Sequence, residues 1–321
     1  MADYDMTPVR PGADNGGTDK RALFLKVSAG EVMTAFRRRN VMLPLSQTGT
    51  ISQGKEGSFN ATGRVKARYH EPGTLITGQQ ANVGERIIRI DKLLIADVTL
   101  PEIEEAMAHY DVRGPLTTEM GEALARQVDA RLLQVAINAA RANGTVEDVT
   151  PGDGLGTPGG TQLLKGATVE TDASVFEKAL RDAALALDNH EIPEEDRHAV
   201  IRPAQYHLLL EVDKLVSTEY SDGNGNVARL MVNRAADAII HKSTNIPDEN
   251  VTGSVNSDYD GDFTNTVAWF GRRDAVGTVK LMNMRMAVKW QEEYQTHLML
   301  AKQAMGHGIL RPEVSVEISK G

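Results

Sequence analysis

Apolar and polar positions fall into two kinds of rhythm along the chain. Val65, Ala67 and Tyr69 alternate with Arg64, Lys66, Arg68 and His70, the period-2 pattern of a strand with one charged face. A Glu71-Pro72-Gly73 turn closes it, and a second strand-like stretch runs through Arg86, Ile88 and Ile90 towards Val98. Residues 50–100 therefore read as β. One apolar row per strand gives an isolated hairpin little to bury, so this one needs a surface to lie on.

Helical spacing takes over next. Thr99, Pro101 and Glu102 read as a capping box that opens a short helix through Met107. After a Gly114-Pro115 break, Thr117 or Thr118 can cap a long helix over 118–143, with Met120, Leu124, Val128 and Leu132 as its stripe and Gly144 as its stop. About 25 residues at 1.5 Å each make a rod roughly 38 Å long. Ser174 and Glu177 suggest a further capped helix with Phe176, Leu180, Ala183, Ala184 and Leu187 on one face. Strands are expected at His198–Ile201, Ala236–His241 and Thr266–Phe270, with a helix starting at Pro203. Met282, Met284, Met286, Val288 and Trp290 alternate with Asn283, Arg285 and Lys289, and the methionine row is expected in a sheet core. Asp97, inside the apolar run Leu93–Val98, is a candidate buried acid. The class is α+β, with helices set against mostly antiparallel sheet.

The N-terminus differs. Residues 1–20 are rich in Asp, Gly and Pro and cannot bury enough apolar surface to offset their ordering entropy, so they read as a flexible arm. Leu25, Val32 and Phe36 then recur at near-helical spacing, ahead of Arg37, Arg38 and Arg39, which suit a helix C-terminus. Residues 144–172 are Gly/Thr/Pro-rich and read as a boundary loop.

Composition narrows the chemistry. The 321 residues include no cysteine, which removes disulfides, thiolate metal sites and cysteine nucleophiles. Asp plus Glu is 44 against 35 for Lys plus Arg, a net charge of -9, so coating nucleic acid by counterion release is not expected. No apolar run approaches the roughly 20 residues of a membrane span, and the first residues lack the apolar stretch of a signal peptide.

Three motifs invite a chemical reading and fall short. Gly49-x-x-x-x-Gly54-Lys55 fits a phosphate loop, yet Glu56 replaces the Ser or Thr that would hold magnesium, and a strand-like run follows where a helix is needed. Gly154-x-Gly156-x-x-Gly159 follows a helix and contains Pro158, so it reads as a loop. Asn256-x-Asp258-x-Asp260-Gly261 begins like a calcium loop but has Val267 where the bidentate Glu belongs. His190, Glu191 and His198 have no zinc-helix spacing, and no G-x-S-x-G elbow occurs. No catalytic, cofactor or metal residue is assigned. A mobile arm, a projecting hairpin and a long helix without chemistry point to a protein of assemblies.

Four stretches take this further: Arg21–Val27 with Gly30–Phe36; Ile90–Val98 continued by His109–Arg113; Ala275–Leu281; and Ala304–Gly308 with Leu310–Glu313. Together they resemble the major capsid proteins of short-tailed bacteriophages of the coliphage T-seven type, over nearly the whole span from Arg21 to Ile318. That resemblance implies the tailed-phage capsid fold, shared with herpesvirus capsid floors and encapsulins. On it, 1–20 is an N-terminal arm, 21–49 a helix region joining the peripheral domain, and 50–90 an extended β-hairpin loop over a neighbouring subunit. Residues 91–172 form the peripheral domain with a spine helix at 118–143, and 173–274 the axial domain. Residues 275–297 return to the peripheral sheet, and 298–321 complete the axial domain.

The implied partners are further copies in hexamers and pentamers, a scaffolding protein, a portal protein at one vertex, an optional decoration protein, and enclosed double-stranded DNA without sequence-specific binding. No membrane is implied. The place is the virion, after assembly in the host bacterial cytoplasm. The charged hairpin face suggests Arg64, Lys66, Arg68, Glu85 and Arg86 as subunit-interface residues. The competing readings are an encapsulin-type compartment, a nucleotide-binding enzyme using 49–55, and a calcium-stabilised module using Asp258 and Asp260.

Overall fold

A computed structural model describes residues 40–76, 78, 82–108, 113–147, 156–212, 225–226 and 231–321. The arm at 1–20 and the helical spacing from Leu25 to Arg39 lie outside them, as do 148–155 and parts of 213–230; the rest of 144–172, read as a boundary loop, includes a sheet strand at Thr161–Leu164. The first described elements are strands β1 (Gln47–Thr50), β2 (Glu56–Thr62), β3 (Val83–Arg89) and β4 (Leu94–Pro101), then helices α1 (Glu102–Met107) and α2 (Arg113–Arg141). Next come β5 (Thr161–Leu164), α3 (Ala173–Asn189), β6 (Arg197–Ile201) and α4 (Pro203–Leu209). Short strands β7 (Gly225–Asn226), β8 (Met231–Val232), β9 (Arg234–Ala235), β10 (Ala238–Lys242), β11 (Asn250–Val251) and β12 (Gly261–Asp262) follow. The chain closes with β13 (Thr266–Arg272), β14 (Val276–Gln291), β15 (Thr296–Ile309) and β16 (Ser315–Ser319).

Contacts divide the described residues into two compact units, Asn40, 92–128 and 282–305 in one, and 41–91, 129–281 and 306–321 in the other. In the first, β4 pairs antiparallel with β15 from Leu94↔Gln303 to Pro101↔Thr296. Leu94, Ala96, Val98 and Leu100 turn to one side and pack with Met120 and Leu124 of α2 and Met299 and Ala301 of β15. The helical stripe expected in α2 is therefore the core face. Asp97 points the other way and is exposed, so it is not a buried acid. The methionine row of β14 is also corrected: Met284 is 49% and Val288 52% exposed. Asn283, Arg285 and Lys289 on the other face are exposed as well, so alternation marks two faces without showing that either is covered.

Helix starts differ from expectation in detail. Pro101 ends β4 and itself occupies the N-cap of α1 with no side-chain bond, so Thr99 caps nothing. Pro115 lies in the first turn of α2, where a missing N–H breaks no helical bond, so the helix begins at Arg113 and runs through Thr117 and Thr118. Asp172, not Ser174, caps α3: its carboxylate accepts the Ser174 and Val175 N–H groups. The apolar face read for α3 is buried as expected.

The second unit is built on a six-stranded sheet in the order β5-β16-β13-β6-β10-β9. It is mixed, with β6–β10 and β5–β16 parallel and the other pairs antiparallel. Every residue of β6 and β16 is buried, which fits a sheet covered on both faces. Ser315 Oγ donates to the Ala136 carbonyl of α2 at 2.7 Å. Arg141 of α2 forks onto the buried Glu317 carboxylate, both bonds 2.6 Å. Ala236 and Asp237, expected in a strand, form the two-residue turn between β9 and β10, with φ of 48° and 61°.

The hairpin is present but shifted. β2 and β3 pair antiparallel from Glu56↔Arg89 to Thr62↔Val83, and the Gly63 N–H to the Asn82 carbonyl is the last rung. Residues 64–70, read as a strand from their alternation, carry no ladder among the described residues: Val65 is 66% exposed and Tyr69 fully exposed. A period-2 pattern without a partner strand leaves an extended segment.

Candidate assembly site at the root of the hairpin

Residues of the hairpin alternate between an open face and an inward one. Gly57, Phe59 and Ala61 of β2, with Gly84, Arg86 and Ile88 of β3, form the inward row. Ile88 is 1% exposed and clusters with Val279 and Leu310, backed by Ile51, Phe59 and Ile90. Burying an isoleucine this way contributes about 1.5–3 kcal/mol.

Three glycines make the seat. A Cβ on Gly306 would lie 2.0 Å from the Arg89 carbonyl oxygen, and one on Gly308 would lie 2.9 Å from Ile88. At Gly277 it would meet Ile88 at 2.7 Å and Leu310 at 2.8 Å. Close approach, and not backbone conformation, requires glycine at these positions. The motifs 275–281 and 304–313 that carried the resemblance thus form the floor under the hairpin.

A buried polar chain fastens the same region. The Tyr259 hydroxyl donates to the Asp91 carboxylate and accepts the His307 N–H at 3.3 Å. His307 Nδ1 is 3.0 Å from Thr278 Oγ1, which is 3.0 Å from Ser46 Oγ, and Ser46 donates to the Leu43 carbonyl at 2.9 Å. Ser46 has one proton and gives it to Leu43, so Thr278 donates to Ser46 and the His307 Nδ1–H donates to Thr278. Complete burial holds the His307 pKa down to about 3, which keeps the ring neutral. Burial raises Asp91 to about 6, against the Tyr259 hydrogen bond and the Arg131 charge. Nearby, Asp129 accepts the Val41 and Met42 N–H groups at 2.8 and 3.0 Å and so anchors the incoming chain; burial raises its pKa as well.

The five residues read as one charged face do not share one. Glu85 turns outward and Arg86, its neighbour, inward. Arg64 bonds within its own chain, to the His190 carbonyl at 2.6 Å and the Glu191 carboxylate at 3.2 Å. Lys66 and Arg68 are exposed on the extended segment. Gly277, Asp91, Tyr259, Gly306, Gly308 and His307 were not singled out as site residues. Their sequence signal was membership of the quoted stretches, Ile90–Val98 for Asp91, Ala275–Leu281 for Gly277 and Ala304–Gly308 for Gly306, His307 and Gly308, while Tyr259 lies in none.

The decoys resolve locally. Gly49–Lys55 joins β1 to β2, with no helix after it to face a phosphate. Asp260 spends its carboxylate on the Gly253 and Ser254 N–H groups, and Asn256 caps a short turn, so this segment is a stitched loop. His190 Nδ1 meets the Glu313 carbonyl at 3.0 Å, and His198 Nδ1 meets His241 Nε2 at 3.1 Å. Among the described residues no group of three or more His, Cys, Asp or Glu could hold a metal ion.

The glycine seat and its hairpin fall within a known family. The description "Gp10A-like: Major capsid protein" matches residues 58–319, both strands of the hairpin nearly whole and all of the seat. The chain belongs to this family. The major capsid protein of Enterobacteria phage T3 is 33% identical, covering 95% of this chain and 93% of that protein. That of Escherichia phage T7 is 31% identical, covering 92% and 91%. Among solved structures, the capsid of Cyanophage P-SCSP1u superposes with a TM-score of 0.80 at 33% identity, over 98% of this chain and 99% of that one. The mature capsid of bacteriophage PhiM1 gives 0.74 at 17% identity, covering 92% and 91%, which shows the fold alone. The Gp10A-like chain is thus a phage major capsid protein with the tailed-phage capsid fold, a subunit of an icosahedral shell and a component of the virion. The encapsulin reading is not favoured.

Proposed function

We propose that the subunits close as hexamers and pentamers around double-stranded DNA, and that the hairpin is the element lying over a neighbour. The observation that carries this is the segment 63–76 beyond the last rung of the hairpin. It exposes Val65, Tyr69, Leu75 and Ile76, the last two 88% and 71% accessible, beside Arg64, Lys66, Arg68 and His70. Apolar side chains left open in one copy gain from cover by another. On this reading Lys66, Arg68 and Glu85 meet the neighbouring subunit from the outward side, and Arg64 exchanges Glu191 for a carboxylate there. The arm is residues 1–20, the joining helix region 21–49 and the extended loop 50–90. The peripheral domain comprises 91–172 and 275–297, and the axial domain 173–274 and 298–321. Scaffolding protein, a portal at one vertex and an optional decoration protein are the further partners, with assembly in the host bacterial cytoplasm. The role is structural, without catalysis. The excess of 44 acidic over 35 basic side chains suits a wall that does not hold packaged DNA tightly.

Electron microscopy with sedimentation of the purified chain, alone and with its scaffold, tests the assembly. Closed shells, or tubes of hexagonal lattice, are expected. A compact monomer in every condition would overturn the reading.

A further inference from the structure

We propose that the cavity beside Arg86 receives a carboxylate side chain from a second copy of this chain, which rests on the reading that the hairpin region meets a neighbour. Arg86 lies on the inward row between Gly84 and Ile88, half-buried, with its Nε shut off from solvent. Its guanidinium has no hydrogen bond or ion pair among the described residues. A cation drawn partly out of water without a counter-charge is costly, so its retention on an apolar face points to a partner.

The surroundings say which kind. Arg86 lines a cavity of about 320 Å³ together with Asn60, Thr62, Thr145, Arg311 and Glu313. Glu313 shares the cavity but is engaged by Arg311: its Oε1 accepts Arg311 Nε at 2.7 Å, and its buried Oε2 makes no hydrogen bond, to Arg86 or to any other described residue. Arg311 is further balanced by Asp274 at 3.9 Å. Arg311 thus holds two carboxylates while the Arg86 guanidinium holds none in a hydrogen bond. A cavity this size admits a side chain but not the rigid backbone of a duplex. A guanidinium fork matches a carboxylate in two parallel bonds. A second copy brings an excess of them, 44 acidic groups against 35 basic.

Sedimentation of Arg86→Gln and Arg86→Lys subunits across concentration, at low and high salt, tests this beside melting of the unassembled subunit. Arg86→Gln should raise the concentration needed for shells by about tenfold, as for loss of one charge-assisted contact, and flatten the salt dependence. Arg86→Lys should recover only part, since an ammonium cannot fork. The unassembled Arg86→Gln subunit should melt no lower than the original, because an unpaired charge has been removed. An unchanged threshold and salt response in both variants would overturn the proposal. A matching drop in subunit melting would also overturn it, because Arg86 would then close a contact within its own chain. Failure of the unaltered chain to form shells would instead sink the assembly reading itself.

Discussion

Asp91 is a carboxylate whose surroundings favour its proton. Its pKa stands at about 6 against an ordinary 3.8, so its protonated form stabilises the fold below the ordinary carboxylate range. That contribution is lost as pH rises through about 6, and at pH 8 the site holds an ionised group it disfavours. Asp91→Asn removes the charge and still accepts the Tyr259 proton. The variant should melt a few degrees higher than the original at pH 8 and at the same temperature at pH 4, on the order of 1 kcal/mol after discounting for a partly open site. Calorimetry at both values checks it, and an equal shift at each would refute the assignment. The sequence offers Asp97 as a candidate buried acid beside the commoner reading of a strand-end or Arg-paired carboxylate, and strand alternation turns that side chain out. Asp91 had no pattern around it, since its partner Tyr259 is 168 positions away.

At the scale of elements, local periodicity carried α2, α3 and β4, whose apolar stripes lie on buried faces, and an unbroken apolar run carried β13, which is buried on both faces. Periodicity failed at 64–70, where alternation implied a ladder that only a partner strand could supply, and at the caps, where Ser174 and Thr99 offered the right chemistry one or two residues from the true start. The hairpin's attachment was legible only as a motif of unexplained glycines. Gly306→Ala tests the attachment directly. Its methyl group would stand 2.0 Å from the Arg89 carbonyl oxygen, so backbone must move, at a cost of about 1–3 kcal/mol or more. Urea denaturation should show an earlier midpoint, and an unchanged midpoint would mean the seat has slack that the structure does not show.

For the whole molecule, the question is how a folded subunit and a closed shell come apart as separate properties. Single contacts between copies can be weak, because many of them acting together make the closed form durable. Reversing Arg64, Lys66 and Arg68 to Glu should therefore leave the subunit folded and stop the shell. Within the chain the reversal also removes the exposed Arg64 bonds to the Glu191 carboxylate and the His190 carbonyl, surface contacts whose loss costs subunit melting little. Shell yield by microscopy decides it, and a normal yield would show that this face meets no neighbour. The absence of cysteine and of any intact catalytic motif already pointed to assembly, and the motifs at 275–281 and 304–313 to a capsid. The partner for an inward arginine could not be read from one chain's pattern. The glycine seat carries a last consequence, for variation. A side chain at Gly306 would strike backbone, and one at Gly277 or Gly308 would have to displace Ile88, whereas Val65, Tyr69, Leu75 and Ile76 of the reaching segment lie open. Mutational drift should then be arrested in the floor and free on the reaching segment, so a lineage can try new chemistry against its neighbours while inheriting the joint unchanged.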